Sequence, residues 1–212
     1  MANIEPFEKL TADYDRWFEK HSDLYAYELE AIRTLLPDFQ NGIEIGVGTG
    51  RFAVPLGIKT GLEPSPKMAK IAEKRGIHII RGEAEAIPVA DAQFDFALFV
   101  TTICFVDNPL QSLKEIHRIL KPHGTLIVGF VDKNTPLGHY YLEHQNKSRF
   151  YKTARFFSSQ EVIQLLKEAG FDECRAVQTL FGPTLDQMQG GVKDGYGEGA
   201  FVALRCQKRE QS

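Results

Sequence analysis

The chain has 212 residues, 43% of them hydrophobic, and a net charge of −3. That length supports one domain with a full core. The charges are mixed along the chain with no Lys/Arg cluster, which weighs against a nucleic-acid groove or an anionic membrane surface as partner.

The first 17 residues show no basic segment followed by an apolar core, so no signal peptide is expected. The longest nearly apolar run, FALFVTTICFV, has 11 residues, against roughly 20 for a membrane helix. Cys104, Cys174 and Cys206 are far apart in sequence, odd in number and without metal spacing. Buried free thiols in a reducing compartment, and a cytoplasmic protein, are the expectation.

Residues 7–36 read as helical, with Phe7, Leu10, Tyr14, Trp17 and Phe18 in an aromatic stripe at spacings of three and four. A break is expected at 21–23, with Ser22 or Asp23 capping a second helix through Leu36. Pro37 and Asn41-Gly42 mark a loop. From there strand and helix alternate. Strands are expected at 42–47, 59–63, 77–81, 94–100 and 124–131. Helices are expected after Gly50 and at 66–74, 109–120 and 158–169. Ser65 caps the second of these, and Pro66 takes its first turn, where a missing N–H matters little. Two strands, 174–181 and 199–207, close the chain and pair antiparallel across a glycine-rich connection. Nearly all-apolar strands between helices indicate a parallel sheet covered on both faces.

The stretch GIEIGVGTGRF, residues 42–52, places Gly46, Gly48 and Gly50 directly behind the first strand. In such sheets ligands bind at the carboxyl ends of the strands. Glycines let the backbone come close to a ligand and take positive φ. A dinucleotide fingerprint needs a further glycine where this chain has Arg51, and a phosphate-cradling loop needs Gly-Lys-Ser/Thr, also absent. Glu63 ends the second strand, with Pro64 behind it, and a carboxylate there can accept both hydroxyls of a ribose.

These segments resemble the class I S-adenosylmethionine (SAM)-dependent methyltransferases, in particular the small type-11-like group. EIGVGTGRF is similar to that family's first motif and GLEPSPKMAKIA to its second. RGEAEAIPVADAQFDFALFVTTICFVDNP resembles the loop and strand beyond, and SLKEIHRILKPHGTLIVGF the next helix and strand. The resemblance implies a Rossmann-like doubly wound α/β sheet of seven strands, mostly parallel with an antiparallel last strand, and helices on both faces. It implies one domain: a helical cap at 1–36, a cofactor-binding core at 42–131, and a substrate-side insertion with closing strands at 132–212. It also implies roles. Gly46, Gly48 and Gly50 would let the backbone pass the methionine part of SAM, with Glu44 holding the loop or meeting the amino group. Glu63 would bind the ribose hydroxyls, Pro64 would pack near the adenine, and Glu83 with the Ala84 N–H would meet its polar edge. Thr101 would offer its backbone carbonyl to the methionine ammonium. Asp95 starts a strand at the opposite end of the sheet, so a structural cap is expected there.

Methyl transfer from a sulfonium needs alignment of acceptor, methyl and sulfur, and a base only where the acceptor must lose a proton. No fixed catalytic residue is evident. The candidates are Tyr14, expected over the methionine end, and His139, Tyr140 and Tyr141 in the 138–156 insertion. That insertion and the glycine-rich 190–199 segment are expected to border one pocket for a small-molecule methyl acceptor. Trp17 is expected to pack as core. No metal site is expected. Two other readings stay open: SAM binding without catalysis, and an RNA or protein acceptor. A nicotinamide oxidoreductase is disfavoured by Arg51.

Overall fold

The computed structural model describes residues 4–209. Three helices open it: α1 (Glu5–Lys9), α2 (Thr11–Lys20) and α3 (Ser22–Leu35). The break expected at 21–23 falls at His21, where φ −117° and ψ 46° leave the helical region. Neither Ser22 nor Asp23 caps α3, whose first turn receives no side-chain hydrogen bond. A further break at Leu10 separates α1 from α2, where the aromatic stripe had suggested one helix.

Eight strands form one sheet among the described residues: β1 (Gly42–Ile45), β2 (Thr60–Leu62), β3 (His78–Ile80), β4 (Phe94–Val100), β5 (Leu120–Val131), β6 (Phe171–Thr179), β7 (Lys193–Asp194) and β8 (Phe201–Lys208). Their order is β3-β2-β1-β4-β5-β8-β6-β7. The first five are parallel, and β8 inserts antiparallel between β5 and β6. The fold is therefore the expected α/β sheet, with one strand more than the seven expected. The addition is β7, two residues of the glycine-rich connection that pair with Val177 and Gln178 at the sheet's edge. Two residues are too few to show alternation in a sequence.

The remaining helices are α4 (Pro66–Lys74), α5 (Pro109–Ile119), α6 (Pro136–His144) and α7 (Ser159–Glu168). Ser65 caps α4 by accepting from the Met68 N–H, and Ser158 and Glu161 close a capping box on α7. The helix expected after Gly50 is a run of turns instead. Two i→i−4 bonds form there, to Gly50 and Phe52, but Pro55 has no N–H to extend them, and the Gly57 N–H turns back to Val54.

The sheet is buried on both faces, which is why its strands are almost wholly apolar. Phe96, Leu98 and Val100 pack with Ala31, Ile32 and Leu35 of α3. The alternate residues Ala97 and Phe99 pack with Leu113 and Ile116 of α5 and Val162 and Leu166 of α7. Asp132, 2% exposed, follows β5 and ties the next helices to the sheet's carboxyl edge. It accepts from the backbone N–H of Asn134 and of Ser159 and from the Ser159 hydroxyl.

The cysteine expectation is corrected. Cys174 and Cys206 form a disulfide between β6 and β8, their Cα atoms 4.2 Å apart, and Cys104 is the free thiol. The antiparallel pairing brings them face to face, with a register shift between Asp172 and Arg175 setting Cys174 opposite Cys206. A separation of 32 residues hides this neighbourhood in the sequence. Thiol titration of denatured, unreduced protein should find one reactive cysteine per chain. Reduction should expose three and lower stability by about 2–4 kcal/mol in a urea melt. Three reactive thiols before reduction would dismiss the bridge.

Candidate active site

The loops at the carboxyl ends of β1 to β5 enclose a cavity of about 170 Å3, room for a ligand rather than a few waters. The turn after β1 forms its floor. Gly46 N and Val47 N donate to Leu62 O at 2.8 and 3.0 Å, stitching the turn to β2. Gly46 has φ +70°, and a Cβ there would lie 2.4 Å from Thr102 Cγ2, so only glycine fits. Gly48 has φ +55° and faces the cavity beneath Tyr14, whose hydroxyl would be 3.5 Å from a Cβ.

Glu63 stands beside this turn. Its carboxylate accepts from Gly48 N and from Ser65 N, both at 2.8 Å, yet still lines the cavity. Burial pushes its pKa up to about 7, against the pull of those two N–H groups. Glu44 is 2% exposed and lies behind the turn, where burial raises its carboxyl well above the ordinary range and the Ala53 N–H opposes. Its Oε2 has no partner among the described residues. Thr101, which follows β4, has φ +49°, a strained conformation for a β-branched residue and one that clusters at functional sites.

The cavity thus brings together Gly46, Gly48, Glu63, Pro64, Glu83, Ala84 and Thr101, from four separate segments. Glu44 and Gly50 shape the floor from behind. A Cβ on Gly50 would meet Ile77 at 3.4 Å. Asp95 lies at the other end of the sheet, accepting from Gln40 N and Asn41 N, as a cap should.

The roof comes from the N-terminal helices. Phe7, Tyr14, Trp17 and Phe18 all line the cavity, and Trp17, half-buried, packs against the core as expected while also forming part of this wall. Two polar clamps hold these helices down. The Glu8 carboxylate accepts from the Ser65 hydroxyl and from Lys67 N at 2.9 Å, which fixes α1 on the first turn of α4. Asp15 accepts from Thr49 Oγ1 and Arg51 Nε at 2.8 Å, and from both terminal nitrogens of Arg75 at 2.9 and 2.7 Å. Arg51 reaches on to Glu19 at 3.0 Å. Burial would raise the Asp15 carboxyl, but the bonds from Arg75, Arg51 and Thr49 win and hold it well below the usual range.

Of the insertion candidates, Tyr141 lines the cavity. His139 and Tyr140 do not: both are exposed on the outer side of α6, where Tyr140 stacks on His144 with ring centres 4.2 Å apart. Successive helical positions cannot all face one way, so Tyr141 points in at the expense of its neighbours. The glycine-rich 190–199 segment is also absent from the cavity wall. Gly190 packs under Tyr27, and the wall on that side is Leu180 and Leu185. Sequence reasoning missed Asp15, Arg75 and Glu28. An acidic residue on the apolar stripe of α3 was the available signal for Glu28.

Comparison with known proteins agrees with this geometry. The profile of a methyltransferase-domain family matches residues 43–128. An uncharacterised protein of Methanocaldococcus jannaschii is 46% identical over 204 residues, covering 95% of this chain and 98% of its own. A Thermotoga maritima crystal structure, a SAM-dependent methyltransferase described as a possible histamine N-methyltransferase, superposes with a TM-score of 0.94 at 53% identity. It covers 97% of this chain and 100% of its own. A Geobacillus kaustophilus demethylmenaquinone methyltransferase is 24% identical, over 83% of this chain and 91% of its own. Fold and site define a Rossmann-like enzyme that takes its cofactor at the switch of a parallel sheet. The chain belongs to the SAM-dependent methyltransferases, and SAM is its cofactor. No helix among the described residues is long and apolar enough to cross a membrane.

Two outcomes follow from the charges. Asp15→Ala should lower stability at pH 7 by about 2 kcal/mol, between an exposed and a buried ion pair. The depressed native pKa places the stabilisation above the unfolded value near 4 and removes it as pH falls further. Urea melts should therefore show the parent's advantage over the variant shrinking steadily as pH falls below about 4. An advantage as large at pH 2 as at pH 7 would deny Asp15 this role.

Glu28, Glu44 and Glu63 act in the opposite sense, because burial raises all three. A raised carboxyl stabilises the fold below the unfolded pKa near 4.3, and that contribution is lost as pH climbs to the native value. The ligand-free protein should lose stability from about pH 5 to pH 8. Measured against Glu28→Gln, which removes that titration, a parent that keeps its full relative stability across the interval would contradict the burial of Glu28.

Proposed function

We propose that this methyltransferase acts on a small molecule, held in the outer half of the cavity beside the methionine end of SAM. The observation that carries this reading is the aromatic lining. Phe7, Tyr14, Phe105, Tyr141, Phe150 and Tyr151 form a continuous set of ring contacts around one enclosed space. Such a wall suits a compact acceptor and leaves little room for a folded macromolecule. Two relatives are named for small acceptors, one for demethylmenaquinone and one for histamine, so the names support the size class without choosing the molecule.

The residues present fit the cofactor. Glu63 offers a desolvated carboxylate for the ribose hydroxyls, and Pro64 with Glu83 and Ala84 closes the adenine end. Gly46 and Gly48 leave the floor free of side chains where the methionine portion passes, and the Thr101 carbonyl and Tyr14 border that end. When bound, the sulfonium supplies an activated methyl group. The chain's own part is to orient the acceptor in line and to exclude water. Alignment of this kind can supply roughly 7–11 kcal/mol in favourable reactions.

Isothermal titration should show SAM and S-adenosylhomocysteine binding, with no comparable binding of NAD. Glu63→Ala should weaken S-adenosylhomocysteine by about 10- to 100-fold, the effect of losing charge-assisted hydrogen bonds worth roughly 1.5–3 kcal/mol. Unchanged affinity in that variant would take Glu63 out of the ribose site. Mass spectrometry of metabolites incubated with enzyme and isotopically labelled SAM tests the acceptor class. Labelling confined to RNA or protein in a parallel extract would refute it.

A further inference from the structure

The cavity holds a group that the cofactor reading leaves unused. Glu28 lies on the buried stripe of α3, with Leu24, Ala31, Ile32 and Leu35 as its apolar companions. It is 6% exposed and lines the cavity. No described residue gives it a hydrogen bond or an ion pair. Burial alone pushes its carboxyl up to about 8. The other buried carboxylates at this end of the sheet are different: Glu63 has two backbone N–H partners and Glu44 faces one.

Three phenols share its cavity. Tyr14, Tyr141 and Tyr151 line the same cavity, and none of their hydroxyls bonds to a described residue. Burial raises all three phenols, and the nearby Glu28 charge raises each further. A buried carboxyl left unpaired destabilises a fold, so a partner from outside the chain is the natural account of it. The partner's charge follows. An anion would hold the Glu28 and Glu63 carboxyls in their neutral form and gain no charge pairing from either. A neutral alcohol or thiol would leave the carboxylate uncompensated. A cation with N–H donors supplies both the charge and the hydrogen bonds, and aromatic faces attract it as well.

Resting on the reading that the cavity takes a small acceptor, we propose that the acceptor is an organic amine. Glu28 binds it as its ammonium ion in the cavity that Tyr14, Tyr141 and Tyr151 also line, and takes the proton that it must lose before reaction. An N–H bond of the ammonium breaks, the proton passes to the Glu28 carboxylate, and the nitrogen regains its lone pair. That pair forms the N–CH3 bond as the S–CH3 bond breaks and its electrons return to sulfur. The amine leaves as an N-methylammonium ion, and Glu28 gives its proton to solvent. A carboxyl whose own pKa lies near neutrality suits this exchange, because neither direction is strongly uphill.

The test uses full-length protein saturated with S-adenosylhomocysteine, titrated at pH 7.5 with butylamine, phenethylamine and tryptamine. Each amine is paired with its alcohol and carboxylate analogues. At least one amine should bind tenfold or more tightly than its alcohol, and the carboxylates should not bind. Glu28→Gln, which is nearly isosteric, should erase that preference with S-adenosylhomocysteine affinity unchanged, and Glu28→Asp should keep part of it. Tyr141→Phe, which leaves the fold of α3 alone, should weaken the same amine several-fold. The proposal falls if no amine outbinds its alcohol, or if Glu28→Gln retains the preference. Failure of the parent protein to bind S-adenosylhomocysteine at all would instead remove the cofactor reading, and this proposal with it.

Discussion

Asp15 closes the site. It is a single carboxylate on α2, and it gathers Thr49 and Arg51 from the glycine turn and Arg75 from the end of α4. Every one of those partners belongs to the cofactor half of the sheet, whereas Asp15 belongs to the N-terminal cap. The pairing therefore turns two separate surfaces into the floor and roof of one cavity. Without it, Phe7, Tyr14, Trp17 and Phe18 would present an aromatic face to water. Burying that face gives the roof its energy, but apolar contact has no directional preference. The planar forks of two arginines fix where the roof sits.

Arg51 acquires a meaning here that its place in the motif does not reveal. Where a dinucleotide fold has a glycine for close helix packing, this chain has a residue that reaches across to the cap. The turns after Gly50 agree with that substitution. A regular helix in this position would start by presenting its N–H groups to a phosphate. Here the chain bends through turns instead, the Arg51 carbonyl accepts from the Tyr25 hydroxyl, and its side chain accounts for the electrostatics. The floor is built for a nucleoside with a charged side arm rather than for a pyrophosphate.

The parts legible in the sequence were those set by short-range rules. Ser65-Pro66 announced α4 to the residue, Phe94–Val100 was readable as β4 from its apolar run, and the glycine turn with Glu63 located the floor. The parts that were not legible depend on which distant segments meet. Cys174 and Cys206 become neighbours only once β8 inserts between β5 and β6. His139, Tyr140 and Tyr141 form one polar cluster in sequence, yet a helix turns about 100° per residue and admits only Tyr141 to the cavity. Leu10 looked like one more member of an aromatic stripe. The structure breaks the helix there, and the cap has two anchors, Glu8 on α4 and Asp15 on the glycine turn, one on each side of the break.

The three buried carboxylates at this end of the sheet differ in one respect, and it orders their roles. Glu44 is enclosed behind the turn and serves its shape. Glu63 divides its oxygens between two backbone N–H groups and still opens onto the cavity, so it can brace the loop and meet a ligand at once. Glu28 has no partner in the chain. The two acids that open onto the cavity are satisfied to different degrees, Glu63 by two backbone N–H groups and Glu28 by none, and the remainder measures what a ligand must bring. At Glu63 neutral hydroxyls suffice, because the N–H groups already hold much of the charge. At Glu28 no described residue holds it, and a neutral hydroxyl would hydrogen-bond the carboxyl without offsetting its charge. On the proposed reading, the cofactor end of the cavity takes a polar neutral sugar and the acceptor end a positive charge.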